Sequence, residues 1–486
     1  MPQAAQAPEV IVRPIIPELV LVGVAVAIMI YDAVRSSRDQ RPIVLLALAG
    51  LAGAAGTALD LWDWSGPEVV LGGMVAVDRF TVFFRIVILS AAAVAVLLSY
   101  HYLERTGEAK GDFYGLLLFS ATGMTLLSAS ANLLLVFLSL EVLSLSLYVL
   151  AGFSPRRLAS QEAGMKYFLL GAFSSAFFLY GVALSYGASG TTSLSGIADA
   201  LTGRIDDLEL AIAGGALLAI GFGFKVAAVP FHMWTPDVYQ GAPTPVTAFM
   251  SAGTKVAGFA ALLRVAMSAF GPVVWDLTPA LWGLAAMTML VGSVLAIAQT
   301  DIKRMLAYSS IAHAGFVLVG VTAANQQGIS GAMFYLAAYA AMIIGGFGVA
   351  MLVSQRGEEQ TTLTSYRGLA RRSPLLAGML ALFLLSLAGL PPTAGFVAKI
   401  LVFQAAVDAG HWTLVVVGVA ATVIAAFFYI RVIVLSYMQD PERTEEIGTP
   451  AVPGLALGIP AVLTLLFGIL PFLLTNVLES AGVLTF

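Results

Sequence analysis

The sequence predicts an all-α, polytopic membrane protein of about fourteen spanning helices, and three observations predict it. The chain is 59% hydrophobic and 11% charged, against about 25% charged in ordinary soluble domains. Its mean hydropathy is +0.93, so a water-soluble fold could not hide its apolar surface. Apolar runs of about 20 residues, enough to cross a hydrocarbon core as helix, follow one another from end to end.

Laid along the chain, those runs fall at 15–34, 43–59, 80–100, 113–128, 133–153, 167–186 and 210–229. The others fall at 246–270, 281–298, 305–322, 332–353, 374–407, 412–437 and 452–477. Residues 1–14 are mildly polar and lack a basic stretch, so 15–34 is expected as a retained span and not as a cleaved signal. The whole of 1–486 is expected to form one membrane domain.

Loop charges support the count. Loops after odd-numbered segments hold Arg35, Arg38, Arg41, Arg105, Lys110, Arg156, Arg157, Lys303, Arg304, Arg356, Arg367, Arg371, Arg372 and Arg443. The other side holds Arg13, Arg79 and Arg204. A missed helix would scramble this asymmetry. By the positive-inside rule the odd loops are cytoplasmic and both termini lie outside a bacterial cell membrane.

Two segments are interrupted. The twelfth, 374–407, is too long for one straight crossing and carries Gly389, Leu390, Pro391 and Pro392 in its middle, where proline removes a helix hydrogen bond. The seventh meets Gly221, Gly223 and then Pro230 before His232. Broken helices survive at membrane depth only where protein or water satisfies the opened backbone. Pairs of them mark conduction paths in transporters built from repeats. Here the breaks lie five helices apart, which fits one five-helix unit at 113–270 and a second at 279–437.

Lys225, Lys255, Lys399 and Glu141 sit within apolar runs, too far from segment ends to reach water. A charge at such depth costs about 2.5–3.5 kcal/mol on insertion scales. One reading is a static network that locks helices. The other is a proton relay: burial disfavours an ammonium and a nearby carboxylate favours it, so a changing Glu–Lys separation moves a lysine between charged and neutral. Three lysines against one glutamate leave an unbalanced set, which favours the relay. His232, at the Pro230 break, and His313 join it as candidates because histidine titrates near neutral pH. Lys166 follows Glu162 by four residues, the spacing of a helix ion pair, and could instead feed protons toward Glu141. Arg85, Arg264 and Arg431 are expected to be structural or to reach the membrane surface along their stems.

Other chemistry has little footing. Cysteine is absent, which removes thiolate-bound clusters, cysteine–zinc sites and disulfides. His101, His232, His313 and His411 are too scattered for a haem or metal site. There is no Walker loop or dinucleotide fingerprint. No nucleic acid is expected as partner, and no polar quinone pocket is legible.

Residues 224–239, running from Phe224 and Lys225 through Pro230, Phe231, His232, Trp234, Pro236 and Asp237 to Tyr239, form a long specific motif. It resembles the seventh-helix signature of the antiporter-like subunits of respiratory complex I, the proton-pumping NADH:quinone oxidoreductase. Residues 241–249 (Gly241, Pro243 and Pro245 among them) resemble the subunit N branch, and 301–310 and 389–396 add to the likeness. The resemblance implies fourteen helices, two inverted five-helix repeats and broken seventh and twelfth helices. It also implies a proton path through a fifth-helix glutamate and lysines on helices seven, eight and twelve, which fall on Glu141, Lys225, Lys255 and Lys399. Lys399 argues against a sibling that carries glutamate there, and the chain stops soon after its last span, unlike a sibling with a long lateral helix. NADH, flavin (FMN), iron–sulfur clusters and quinone are then expected in other membrane and peripheral subunits, with none held by this chain. The alternatives are a subunit of a multi-subunit cation/proton antiporter and a structural scaffold.

Overall fold

The computed structural model describes residues 11–35, 39–108, 110–203, 208–354, 361–442 and 445–484. Arg38, Arg204, Arg356 and Arg443, counted above among the loop charges, lie outside the described residues. The helices in chain order are α1 (Ile16–Val34), α2 (Arg41–Leu59), α3 (Arg79–Thr106), α4 (Gly111–Ser128), α5 (Leu133–Ala151), α6 (Leu158–Ser189) and α7 (Leu194–Thr202). They continue as α8 (Leu208–Val226), α9 (Trp234–Gly241), α10 (Thr244–Phe249), α11 (Lys255–Arg264), α12 (Val274–Ile297), α13 (Ile302–Thr322) and α14 (Gln326–Val353). The last six are α15 (Leu369–Arg372), α16 (Pro374–Ala388), α17 (Ala394–Asp408), α18 (Trp412–Met438), α19 (Ala451–Ile469) and α20 (Phe472–Ala481).

Among the described residues, twelve helices are long and apolar enough to cross a membrane. α13, α14 and the continuous helix Thr244–Ala269 are 94% buried, whereas α6 and α18 are 33% buried. The first three form the centre, and α6 and α18 lie at the periphery.

Several expectations needed adjustment. The sixth apolar run begins nine residues late, because the polar turn holding Glu162 and Lys166 is already helical at Leu158. The segment at 246–270 contains a π-helical turn, Met250–Thr254, that joins α10 to α11. The last run divides at Leu470 and Pro471 into α19 and α20. A two-stranded hairpin (Val69–Val70 with Val75–Ala76) was not legible in the connection before α3. Lys303, counted as a loop charge, lies in the first turn of α13, fully buried, and donates to the Ala242 carbonyl at 2.7 Å. The bend between α9 and α10 supplies the acceptor that a loop lysine would find in water.

Two connections share one hydrogen-bond pattern. Before α5, Leu133 N–H donates to the Thr192 carbonyl at 2.8 Å and Leu194 N–H to Ala131 at 3.1 Å. Before α13, Ile302 N–H donates to Thr361 at 2.8 Å and Leu363 N–H to Thr300 at 2.8 Å. Every residue in the second set stands at one constant offset from its counterpart. The same offset relates two close crossings where only hydrogen fits. A Cβ on Gly123 would come within 2.5 Å of Leu143 N, and one on Gly292 within 2.5 Å of Ala312 N. The two connections lie at opposite ends of α6. Its C-terminal end leads into Thr192, while Lys166 near its start shares Asp237 with Arg304, beside the second connection.

Buried arginines anchor the frame. Arg85 meets Glu18 at 2.9 and 3.0 Å, and Arg264 grips Asp78 at 2.8 and 2.9 Å while donating to Thr81 Oγ1. Both side chains are buried, 1% and 0% exposed. Arg431 donates to the carbonyls of Ile297 and Gln299 at 3.0 and 2.7 Å, closing the end of α12. Removing one partner of a buried pair strands the other's charge, so Asp78→Ala is expected to destabilise by about 3–5 kcal/mol. Replacing Asp78 and Arg264 together with apolar residues is expected to cost less, and thermal unfolding of the purified chain measures both.

Candidate functional site

The two interruptions create the site. In the first, α8 ends at Val226 and α9 starts at Trp234, with Pro230 between them. Ala227 lies in the left-handed region at φ 61°. The opened amide of Val229 donates to Thr288 Oγ1 of α12 at 3.0 Å, and Trp234 Nε1 donates to the Phe224 carbonyl at 3.0 Å. In the second, α16 ends at Ala388 and α17 starts at Ala394, with Gly389 at φ 84° and Pro391 and Pro392 following. Lys399 reaches back from α17 to the carbonyls of Ala388 and Leu387 at 2.9 and 3.4 Å. It therefore closes the carbonyl end of the half-helix that the prolines leave open. A side chain on Gly389 would strike the Lys399 stem, at 2.9 Å from Cδ.

Lys225, Lys255 and Lys399 are 5%, 2% and 5% exposed. Lys225, in the last turn of α8, donates to Ser144 Oγ of α5 at 2.7 Å and lies 3.5 Å from Tyr167 Oη of α6. Lys255 follows the π-helical turn, donates to the Ser310 carbonyl of α13 and sits over the Tyr339 ring at 5.9 Å. Lys225 and Lys255 belong to packed neighbours, since a Cβ on Gly258 of α11 would lie 3.5 Å from Lys225 Cγ. Lys399 stacks on Phe316 at 4.6 Å, one turn beyond His313 on α13. The helix period thus puts Ser309, Ser310, His313 and Phe316 on the side of α13 that separates Lys255 from Lys399.

Glu141 does not touch Lys225: among the described residues no ion pair joins them. The carboxylate is half-buried and accepts from Ser175 Oγ of α6. Ser175, Ser144 and Lys225 line one small cavity of about 20 Å³, room for about one water. The acid and the base are therefore linked through two serines and a polar void.

His313 is held by two tyrosines, with Nδ1 2.7 Å from Tyr335 Oη and Nε2 3.2 Å from Tyr429 Oη. Tyr429 also bonds Ser309, and Tyr339 donates to Ser310 Oγ at 2.7 Å. Sequence reasoning missed these tyrosines because an aromatic residue in an apolar helix reads as packing. One signal was available: at the constant offset noted above, Glu141 and Ser144 of α5 match Ser310 and His313 of α13.

His232 is not drawn into this row. Its ring is half-buried, and among the described residues no hydrogen bond joins it to a lysine and its enclosed Nδ1 has no partner. Lys166 is 2.7 Å from Glu162 and 2.8 Å from Asp237. Asp237 in turn meets Arg304 at 2.6 Å, so one carboxylate ties α6, α9 and α13. Among the described residues no three histidine, aspartate or glutamate side chains converge as a metal site.

These features define a polytopic α-helical membrane protein with two interrupted helices and an internal row of ionisable groups. Residues 130–425 match the model of the NADH:quinone oxidoreductase/Mrp antiporter transmembrane family, and the chain belongs to that family. It is 44% identical over 470 residues, 96% of each chain, to NADH-quinone oxidoreductase subunit N of Trichlorobacter lovleyi. It is 45% identical to the subunit N of Rhodococcus opacus, covering 98% of this chain and 97% of that one. A chain of respiratory complex I from Thermus thermophilus, solved with bound aureothin, superposes with TM-score 0.82 at 37% identity, covering 96% and 100% of the two chains. The resemblance read from 224–249, 301–310 and 389–396 thus extends over nearly the whole length.

Among the described residues, Thr288 is the one side chain that answers the Val229 amide. Thr288→Val is expected to cost about 1–3 kcal/mol by stranding a buried donor, and Thr288→Ser to cost much less. Thermal unfolding of the two variants in one detergent makes the comparison.

Proposed function

We propose that this chain is a proton-translocating membrane subunit of an NADH:quinone oxidoreductase, working within complex I of a bacterial cell membrane. The observation that carries the reading is a contrast in how buried cations are treated. Arg85 and Arg264 each meet a carboxylate. Lys225, Lys255 and Lys399 have no ion pair among the described residues and rest on hydroxyls and carbonyls. A neutral acceptor holds an ammonium or an amine, so these lysines can change charge without leaving an orphaned acid. A scaffold would pair them.

In the working cycle, redox chemistry in partner subunits, which hold the NADH, FMN, iron–sulfur and quinone sites, disturbs the charge at Glu141. The disturbance passes through Ser175, the small cavity and Ser144 to Lys225. Lys225 exchanges with Lys255, and the Ser310, His313 and tyrosine cluster carries the proton toward Lys399. Lys166 serves the frame through Asp237, and His232 stands aside from the main row. This chain supplies the path and no redox site.

The architecture belongs to the same proposal. α4 and the α16–α17 pair cross in addition to the twelve long helices, giving about fourteen crossings with both termini outside. Residues 113–270 and 279–437 are inverted repeats, a reading supported by the matched connections at opposite ends of α6. Identity of 44–45% to subunit N relatives across nearly the whole chain favours complex I over a cation/proton antiporter.

Lys225→Ala and Glu141→Ala are each expected to lower NADH-driven proton pumping several-fold while the complex still assembles. Acidification of inverted vesicles, read beside co-purification of the partner subunits, tests this. Undiminished pumping in both variants would return the charges to a structural role, and restoration of sodium resistance without quinone reduction would favour the antiporter.

A further inference from the structure

A long slot opens between α2, α3, α14, α19 and α20, away from the lysine row. Its inner part is a cavity of about 340 Å³ walled by Phe83, Val87, Ala340, Ile344, Ile459 and Phe467. Alanines 337, 340 and 341 recur at helical spacing on α14 and leave the width that larger side chains would have filled. The slot continues into a polar recess of about 590 Å³ lined by Trp62, Asp63, Trp64, Glu68, Arg79 and Ser480. Trp62 belongs to both parts. The recess stands where α2 and α20 end and α3 begins, at the level where tryptophans mark the membrane–water boundary.

The charges in the recess are specific. Arg79 donates to Asp63 Oδ1 and to the Trp62 carbonyl, both at 3.2 Å, and lies 5.6 Å from the Trp62 ring centre. Asp78, also at the recess, is committed to Arg264. Glu68 has no ion pair among the described residues. Arg13, 5.6 Å from the Trp64 ring centre, is paired with Asp60 at 2.6 Å, which leaves the Arg79 guanidinium facing two carboxylates, Asp63 and Glu68. That balance repels a simple anion but suits a paired phosphate and ammonium, with the phosphate on Arg79 and the ammonium on the acids.

We propose that the slot binds one phospholipid bearing a zwitterionic, amine-containing headgroup. One acyl chain lies along α14 in the inner cavity, where hydrocarbon replaces a void that water would not fill. The headgroup occupies the recess, and Trp62 packs at the glycerol level between them. The site is distinct from the proton path and independent of the reading given above.

The test uses the full chain in nanodiscs of equimolar phosphatidylethanolamine and phosphatidylglycerol. Native mass spectrometry reads the lipid that survives removal of the bulk bilayer. One phosphatidylethanolamine per chain is expected. Ser90→Trp, at the open edge of the slot, is expected to cut retention at least about fivefold. Ile459→Trp, from a wall position that is 42% exposed, repeats the block should the first variant fold poorly. Asp63→Asn with Glu68→Gln, both in the recess, should leave a retained lipid and abolish the ethanolamine preference. Retention unchanged by both tryptophan variants would overturn the site. So would a preference for phosphatidylglycerol, a retained quinone in place of phospholipid, or loss of the lipid on assembly with partner subunits.

Discussion

An ammonium group in an apolar interior must be answered by something, and what answers it decides what it can do. A carboxylate answers with full charge and holds the proton in place. A hydroxyl or carbonyl answers with a dipole, which is enough to keep the group buried and too little to fix its charge. The structure uses both solutions side by side. Arg85 and Arg264, always charged, take acids; Lys225, Lys255 and Lys399 take dipoles. Those dipoles come from α5, α13 and the end of α16, each hydrogen-bonded to the lysine it answers.

The interrupted helices extend the same logic to the backbone. Each break exposes donors and acceptors that lipid could not satisfy. Thr288 answers an amide at the first break, and Lys399 answers carbonyls at the second. The two breaks are thus closed in different ways. The first is stabilised by a hydroxyl from a neighbouring helix and leaves Lys225 to look toward α5. The second is stabilised by the titratable residue itself.

The spans and the deep charges were legible because each rests on local sequence. A run of apolar residues is its own signal, and a lysine within one is conspicuous. Partners were not legible where they come from far away. Glu18 lies 67 residues from Arg85, and Asp78 lies 186 residues from Arg264. Each of those acids sits near a helix start, where it reads as an ordinary capping charge. Helix α9 was hidden because Trp234 to Gly241 carries Pro236, which reads as loop although its position in the first helical turn is permitted. Lys303 was misplaced because its neighbour Arg304 made the pair look solvated. Tyr335, Tyr339 and Tyr429 carry polarity only at their tips, so composition cannot separate them from packing side chains.

The grip of Lys399 on the end of α16 has a mechanical meaning. A charged amine attracts the negative pole of a helix, and a neutral one does so far less. In the proposed cycle, gain or loss of a proton at this side chain would therefore also change the force holding two half-helices together across a glycine and two prolines. Chemistry and shape are one variable there. Under the proposed relay, a proton arriving at Lys399 would tighten this joint and one departing would loosen it, so the half-helices would feel each transfer.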